Sequence, residues 1–233
     1  MTVDIEVVED PARACSAMLV GAATSAGHVV LSGGSTPKAA YEYLVETVKD
    51  VGIDLTATTF WFGDERCVPP DDQRSNYLMV KQSMLDPLGE ENQPIVHRMQ
   101  GELGPAEGAD AYQRELRAAG PPEFDLLLLG IGPDGHTASL FPDQHTLSER
   151  SRLVVGVEQA GLEPFVPRIS FTLPSIASAR RVVVLVSGSS KAEAVAAAFG
   201  PNAKPHPHVP SSMLAPLATE ITVLLDRPAA AKL

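Results

Sequence analysis

An acid and a histidine lie close together in a glycine-rich turn near the middle of the chain. Asp134 and His136 belong to the stretch at 124–142, which reads FDLLLLGIGPDGHTASLFP. Histidine can exchange a proton near neutral pH, and a neighbouring carboxylate can orient and polarise its ring. The alternative is a histidine that only completes hydrogen bonds within the fold. Because the pair lies among glycines at the end of an apolar run, we predict general acid–base catalysis.

The apolar run before the turn predicts the strand that positions this pair. Leu126 to Leu129 is too short for a buried helix, so we expect a central strand that is covered on both faces. Gly130, Gly132 and Gly135 allow a sharp turn at its carboxyl end, where open α/β sheets bind ligands. The same letters spell the G-x-G-x-x-G pattern of dinucleotide-binding folds. Pro142 leaves barely two turns for the helix that such a site needs, so we predict no dinucleotide here.

Two glycine- and serine-rich loops, each between an apolar strand and a helix, are candidate phosphate sites. The first contains Gly33, Gly34 and Ser35, and we expect Ser35 or Thr36 to cap the following helix. The free N–H groups and the dipole of that helix would then face the loop. The second loop ends in Lys191, a cation that the start of a helix disfavours and that a bound phosphate would stabilise. The alternatives are an ordinary helix cap and a solvated lysine.

Charged residues also follow the strand predicted at 58–62. Asp64 could accept hydrogen bonds from sugar hydroxyls, and Arg66 could bind a phosphate or carboxylate with its planar guanidinium. The alternative is an exposed charged turn. Because the carboxyl ends of parallel strands meet at one edge of a sheet, we expect these residues to share a crevice with both loops and the Asp134 turn.

Strands and helices alternate along the chain, from a strand predicted at 3–8 to a last strand predicted at 219–225. This order predicts an α/β fold with a doubly wound, mostly parallel sheet and helices on both faces. The length of 233 residues suits a single domain over 1–233 with a substantial core.

The bulk properties limit the partners and the compartment. Eighteen basic and 29 acidic residues give a net charge of −11, which disfavours nucleic acid and anionic membranes as partners. Cys15 and Cys67 form no disulfide framework, and His206 and His208 have no nearby acid or cysteine to complete a metal site. No stretch resembles a signal peptide or a membrane span. We predict a cytoplasmic protein without a metal or other cofactor.

Four segments resemble the family of glucosamine-6-phosphate isomerases and 6-phosphogluconolactonases. They are SGGSTP at 32–37, FGDERCVP at 62–69, LLGIGPDGHTASLFP at 128–142 and VSGSSKAEA at 186–194. The resemblance covers nearly the whole chain and implies a Rossmann-like fold, as in glucosamine-6-phosphate deaminase. It also implies phosphate binding by Gly33, Gly34, Ser35, Arg66, Arg168 and Lys191, with Arg74 as a further candidate. Asp134 and His136 would then carry out the chemistry.

The lactonase members of this family imply a specific reaction. It is the hydrolysis of 6-phospho-D-glucono-1,5-lactone to 6-phospho-D-gluconate in the oxidative pentose phosphate pathway, by a water that His136 activates. Two alternatives stay open, a deaminase-like isomerase and a sugar-phosphate-sensing module without turnover. Phe141 stands where the deaminases carry a glutamate, and no helix-turn-helix segment accompanies the domain. We therefore expect a phosphorylated sugar lactone as partner, and a monomer or weak homo-oligomer.

Overall fold

The structure is a computed structural model that describes residues 2–24, 26–120, 123–217 and 220–233. The strands are β1 (Thr2–Val7), β2 (His28–Leu31), β3 (Thr59–Phe62), β4 (Asp64–Arg66), β5 (Ile95–Val96), β6 (Leu126–Leu129), β7 (Val154–Val157), β8 (Arg168–Phe171), β9 (Arg181–Val186) and β10 (Glu220–Leu225). The helices are α1 (Pro11–Ala23), α2 (Ser35–Val51), α3 (Asn76–Val80), α4 (Asp86–Leu88), α5 (Pro105–Ala118), α6 (Leu173–Ala177) and α7 (Ala192–Phe199). A π-helical turn, Lys81–Leu85, joins α3 to α4.

β6 lies at the centre of a parallel sheet whose strand order is β1-β10-β9-β6-β2-β3-β5. Its four leucines are buried, as expected for a strand covered on both faces. Each neighbouring pair in this sheet is parallel. The predicted α/β fold, doubly wound and mostly parallel with helices on both faces, is confirmed. Thr219, which the sequence pattern places in the last strand, lies outside the described residues.

A second, antiparallel sheet in the order β4-β8-β7 is a feature that the alternation of strands and helices does not predict. β4 follows β3 after the single residue Gly63, whose carbonyl accepts a hydrogen bond of 2.8 Å from the N–H of Phe171. Two short strands that are distant in sequence therefore pair beside the main sheet. This pairing places Arg66 of β4 directly opposite Arg168 of β8.

Two buried tyrosines fasten the carboxyl ends of central strands to helices. The Tyr41 hydroxyl of α2 donates to the carbonyl of Ser32 at 2.7 Å and accepts from its N–H at 2.9 Å. The Tyr112 hydroxyl of α5 accepts from the N–H of Phe62 at 2.8 Å and donates to the carbonyl of His97 at 3.1 Å. Burial raises the pKa of both phenols well above the usual value, so both hydroxyls stay protonated. These bonds fix where the loops after β2 and β3 begin.

Candidate active site

One cleft gathers most of the predicted site residues at the carboxyl ends of β2, β6 and β9. Its volume is about 250 Å³. The loop after β2, the turn after β6 and the loop after β9 all contribute to its wall. The predicted residues that line it are Gly33, Gly34, Ser35, Asp64, Arg66, His136, Arg168 and Lys191. Two predicted residues do not line it. Asp134 contacts His136 from outside the lining, and Arg74 lies on a neighbouring surface.

The Asp134–His136 pair has the geometry of an oriented base. His136 Nδ1 lies 2.6 Å from Asp134 Oδ1, and the His136 backbone N–H donates to the same oxygen at 3.2 Å. Burial alone would raise the pKa of Asp134, but the hydrogen bonds and charge of His136 outweigh it and hold that pKa below its usual value. An ionised carboxylate can only accept a hydrogen bond, so Nδ1 carries the proton. In neutral His136, Nε2 is then the nitrogen that is free to accept a proton.

The turn that carries this pair is held by hydrogen bonds within its own segment. The Gly132 N–H donates to the His136 carbonyl at 2.9 Å, and the Thr137 hydroxyl donates to the Gly130 carbonyl at 2.9 Å. A Cβ atom on Gly132 would lie 2.0 Å from His136 Nδ1, so the histidine ring needs a glycine beneath it. Residues 137–140 form a small bridged turn and not the long helix that a dinucleotide-binding fingerprint requires.

The first candidate phosphate loop differs from expectation at the start of its helix. α2 begins at Ser35, and Gly34 precedes it with a φ of 113° and no capping side chain. The prediction that Ser35 or Thr36 caps the helix is therefore wrong, because the glycine takes the cap position in a conformation that other residues rarely adopt. The first N–H groups of this 17-residue helix thus have no side-chain cap in the structure. Such a helix start beside a cleft is a suitable site for an anion.

Three cations that have no carboxylate partner among the described residues line the same cleft as this helix start. Arg66 and Arg168 face each other across β4 and β8, although like charges in that arrangement destabilise a sheet. Burial and then the charge of Arg66 lower the pKa of Arg168. Burial also lowers the pKa of the half-buried Lys191, and Asp134 opposes that shift. Within the described ranges, none of the three forms an ion pair with a carboxylate. A bound dianion would relieve the repulsion between the two arginines and give Lys191 a partner.

The guanidinium groups of Arg66 and Arg168 differ in their hydrogen bonds to the rest of the protein. The Arg66 Nε atom is buried without a hydrogen-bond partner in the described part of the chain. Arg168 is 4% exposed, and its guanidinium donates to the carbonyls of Val166 at 3.1 Å and Pro164 at 2.7 Å. Arg66 therefore keeps an unused donor beside the cleft, whereas Arg168 also shapes the loop that forms one wall.

Arg74 does not line the cleft. Its Nε and Nη2 atoms donate to the two carboxylate oxygens of Asp72 at 2.8 and 2.6 Å, an arrangement that lowers the pKa of Asp72 to about 2. The carbonyl of Arg74 accepts a hydrogen bond from Arg66 Nη1 at 2.5 Å. Direct phosphate binding by Arg74 stays a prediction. The contact that the structure shows is a backbone one, which supports Arg66.

The site lies within a segment that a known family model describes. The model for glucosamine-6-phosphate isomerases/6-phosphogluconolactonase matches residues 5–223. The chain belongs to this family. The 6-phosphogluconolactonase of Synechocystis sp. is 37% identical over 209 residues, which cover 87% of this chain and 83% of that protein. The 6-phosphogluconolactonase of Mycobacterium bovis is 38% identical over 229 residues, 92% of this chain and 89% of that protein.

Solved structures of the family share the fold along the whole chain. The 6-phosphogluconolactonase of Trypanosoma brucei has a TM-score of 0.84 at 27% identity and covers 100% of this chain and 99% of that one. A monomeric glucosamine-6-phosphate deaminase has a TM-score of 0.85 at 21% identity, with 100% coverage of both chains. The second likeness shows the fold alone. The resemblance noted from the four sequence segments is confirmed.

Buried polar residues that the sequence patterns did not indicate support this family site. The Glu65 carboxylate accepts hydrogen bonds from the N–H groups of Arg66, Asn76 and Tyr77 and from the Ser75 hydroxyl, at 2.7 to 3.0 Å. Burial raises the pKa of Glu65, although these hydrogen bonds act in the opposite direction. The carboxylate fixes the start of α3 against β4. A serine at a predicted helix start signals a cap, but it does not identify a partner ten residues away.

Asn76 and Ser139 are two further residues that the patterns missed. Asn76 lines the cleft and is 2% exposed, and Ser139 is 0% exposed. Both donate to Asp64, whose two carboxylate oxygens therefore already accept hydrogen bonds from the protein. The binding of a sugar hydroxyl by Asp64 stays a prediction.

Proposed function

We propose that the protein hydrolyses 6-phospho-D-glucono-1,5-lactone to 6-phospho-D-gluconate, a reaction of the oxidative pentose phosphate pathway. The observation that carries the proposal is a cleft that joins three cations, none with a carboxylate partner in the described part of the chain, and a helix start to the oriented His136. Family membership and the two curated relatives named as 6-phosphogluconolactonases support the same assignment. The phosphate of the substrate would occupy the cationic end, and its lactone carbonyl would face the histidine.

His136 acts first as a general base in this proposal. Its Nε2 atom takes a proton from a water molecule as the water oxygen forms a bond to the lactone carbonyl carbon. The tetrahedral intermediate then collapses with cleavage of the bond from that carbon to the ring oxygen. The protonated His136 returns a proton to the ring oxygen, and the product is an open-chain acid that ionises in water. No covalent intermediate with the protein is needed, because an ester carbonyl accepts water once the water is deprotonated.

Asp134 positions the base. The hydrogen bond from Nδ1 to its carboxylate fixes the ring and favours the tautomer with a free Nε2. The negative charge also stabilises the imidazolium that forms after proton transfer.

Gly33, Gly34, Ser35, Arg66, Arg168 and Lys191 form the proposed phosphate subsite. The helix start supplies N–H donors, and the three side chains supply positive charge in a protein whose net charge is −11. Charge-assisted hydrogen bonds of this kind are about twice as strong as neutral ones. Selection for a phosphorylated substrate follows from this subsite.

Turnover with two substrates tests the function. Purified protein is given 6-phosphogluconolactone, and proton release is followed with the spontaneous hydrolysis subtracted. Glucosamine 6-phosphate is the control, with ammonia as the readout. We expect rapid lactone hydrolysis and no ammonia, because the aromatic ring of Phe141 lies beside His136, with ring centroids 4.8 Å apart, where the deaminases carry a glutamate. Ammonia release at a comparable rate would assign the deaminase reaction, and binding without turnover would assign a sensing module.

The remaining expectations concern the setting of the enzyme. No described helix is long and apolar enough to cross a membrane. Cys15 and Cys67 are both free, which suits a reducing compartment, and we propose a cytoplasmic location. A single domain over 1–233, a monomeric or weakly associating state and the absence of a nucleic-acid partner remain predictions.

A further inference from the structure

The carboxylate of Asp64 joins two parts of the cleft that are far apart in sequence. Its Oδ2 atom accepts a hydrogen bond of 2.7 Å from the Ser139 hydroxyl, and its Oδ1 atom accepts one of 3.2 Å from Asn76 Nδ2. The same Asn76 nitrogen donates to the Asp64 carbonyl at 2.9 Å. All three residues are buried, with exposures of 0%, 2% and 7% for Ser139, Asn76 and Asp64. Water therefore competes little for these bonds.

Ser139, at one end of this chain of hydrogen bonds, belongs to the turn that carries Asp134 and His136. Ser139 follows His136 by three residues. Its backbone N–H donates to the Ser170 hydroxyl of β8 at 3.1 Å, so the turn is held from both its backbone and its side chain. A shift of Ser139 would move the backbone that carries His136.

The other end lies against the proposed phosphate subsite. A Cβ atom on Gly33 would lie 2.0 Å from Asn76 Oδ1 and 2.8 Å from Asn76 Nδ2. The amide of Asn76 therefore packs on the backbone of Gly33, at a distance that only a glycine permits. Through this contact, Asn76 limits how far the loop before α2 can approach the rest of the cleft.

The spacing of these two ends matters for a substrate that is held at one end and reacts at the other. The phosphate is attached to carbon 6 of the lactone, and hydrolysis occurs at carbon 1. A rigid anchor for the phosphate places carbon 1 correctly only if the anchor and the base keep a fixed distance. Displacement of a reacting group by about 1 Å can lower a rate by about 100-fold.

We propose that Ser139, Asp64 and Asn76 are positioning residues that set the distance between the phosphate subsite and His136. The proposal rests on the proposed function. It explains how the lactone carbonyl is placed correctly relative to His136. Asp64 performs this role through the hydrogen bonds that its two carboxylate oxygens accept from Asn76 and Ser139. A role in stability alone would give a different result, because it would affect every substrate equally.

Ser139→Ala and Asn76→Ala, singly and together, test the proposal. Each removes a donor to Asp64 and creates no larger side chain. We expect each to lower kcat for the phosphorylated lactone by about 10- to 100-fold, the effect of a displaced reacting group. Turnover of unphosphorylated glucono-1,5-lactone, which lacks the anchor, should fall by a clearly smaller factor, and the Kd for 6-phosphogluconate should change little. The double variant should be no more than about threefold slower than the slower single variant, because both break one connection.

Two residues away from the cleft, the buried Ser83 and the partly buried Asn92, provide matched controls. Ser83 donates its hydroxyl to the Met79 carbonyl at 2.7 Å, and Asn92 donates its amide to the Ile53 carbonyl at 2.8 Å. Ser83→Ala and Asn92→Ala should leave the ratio of the two lactone activities unchanged. If Asn76→Ala fails to fold in a thermal melt, Ser139→Ala with the same two substrates decides the question.

Several outcomes would overturn the proposal. They are an equal loss for both lactones, effects of the two substitutions that multiply, a weakened Kd for 6-phosphogluconate with kcat preserved, and no effect at all. Failure of the proposed function would be seen separately, as a wild-type protein that does not hydrolyse the phosphorylated lactone.

Discussion

The proton on the His136 ring determines whether this residue can activate water. The ionised Asp134 carboxylate requires Nδ1 to be the donor, which leaves Nε2 as the acceptor. A hydrogen bond of 2.6 Å between side chains two residues apart needs no long-range packing to form. This part of the site is therefore formed by residues that are close together in the sequence.

Replacement of the base tests this arrangement directly. We expect His136→Asn or His136→Ala to lower kcat by about 10²- to 10⁴-fold, the usual contribution of a positioned proton acceptor. The Kd for 6-phosphogluconate should stay close to the wild-type value, because other loops hold the phosphate. Single-turnover kinetics and calorimetric binding measure the two quantities. A folded variant with near-normal kcat would exclude His136 as the base and make Asp64 the next candidate.

The pH dependence separates the roles of His136 and Asp134. Activity should fall as pH decreases and His136 becomes protonated, since imidazolium cannot accept a proton. The pKa of Asp134 lies below its usual value, so this residue stays charged through that range and does not cause the fall. In Asp134→Asn the loss of negative charge disfavours imidazolium, so the acidic limb should move to lower pH and the plateau rate should decrease. A pH profile of kcat checks this, and an unchanged limb would contradict it.

The cations of the proposed phosphate subsite should discriminate between substrates. Lys191→Ala and Arg66→Ala each remove a charge-assisted contact worth about 1.5–3 kcal/mol, or about 10- to 150-fold in kcat/KM for the phosphorylated lactone. Unphosphorylated glucono-1,5-lactone should be much less affected. Lys49→Ala, at an exposed position in the last turn of α2, is a matched control. Equal losses with both lactones would show that the two cations support the fold and not the phosphate.

Among the elements, the turn after β6 depends on a close contact between backbone and ring. A Cβ on Gly132 would lie 2.0 Å from His136 Nδ1 and 2.5 Å from Asp134 Oδ1. His136 is the proposed base and Asp134 is its hydrogen-bond partner, so neither side chain can move without weakening the hydrogen bond between them.

Gly132→Ala should therefore displace the ring and lower kcat by about 100-fold, while phosphate binding is kept. Gly21→Ala in α1 is the control, because nothing lies within 4 Å of a Cβ there and alanine is the better helix former. Steady-state kinetics together with 6-phosphogluconate binding measure the effect. Unchanged kcat in a folded Gly132→Ala protein would show that the ring tolerates the shift.

Hydrophobic periodicity and turn residues predict those elements well that are formed by residues adjacent in the sequence. The apolar run Leu126 to Leu129 predicts β6 with its observed bounds, and the glycines after it predict the turn. The sequence pattern predicts the wrong cap residue for α2. Gly34 takes the cap position through its backbone conformation, and no polar side chain marks this position in the sequence. The positions of Asn76 and Ser139 are missed because their partner, Asp64, is distant in the chain.

For the whole molecule, residues from both sheets and from the loops that follow their strands line one cleft. The loops after strands of the parallel sheet supply the proposed base, the helix start and Lys191, whereas the antiparallel sheet supplies Arg66 and Arg168. The prediction that strand ends share a crevice is confirmed for the parallel sheet. The cross-strand pairing of the two arginines has no counterpart in the sequence pattern, because strands of three and four residues carry little periodicity.

The whole protein should work without a metal ion. Among the described residues, no group of three or more histidine, cysteine, aspartate or glutamate side chains could hold one. Dialysis against EDTA should therefore leave kcat/KM for the phosphorylated lactone unchanged, and added Mg²⁺ or Zn²⁺ should not raise it. Loss of activity in EDTA that a divalent ion restores would contradict this expectation.

The position of β1 at the edge of the sheet has a consequence for the protein during its synthesis. β1 pairs with β10, and Thr2 lies opposite Glu220. At about 5–20 residues per second, a ribosome needs roughly 10 to 40 seconds to make the chain between them. During that time β1 has no partner strand, and its apolar residues Val3, Ile5 and Val7 stay unpaired. Asp4 and Glu6 alternate with them, and this negative charge protects the nascent strand against pairing with another unfinished chain.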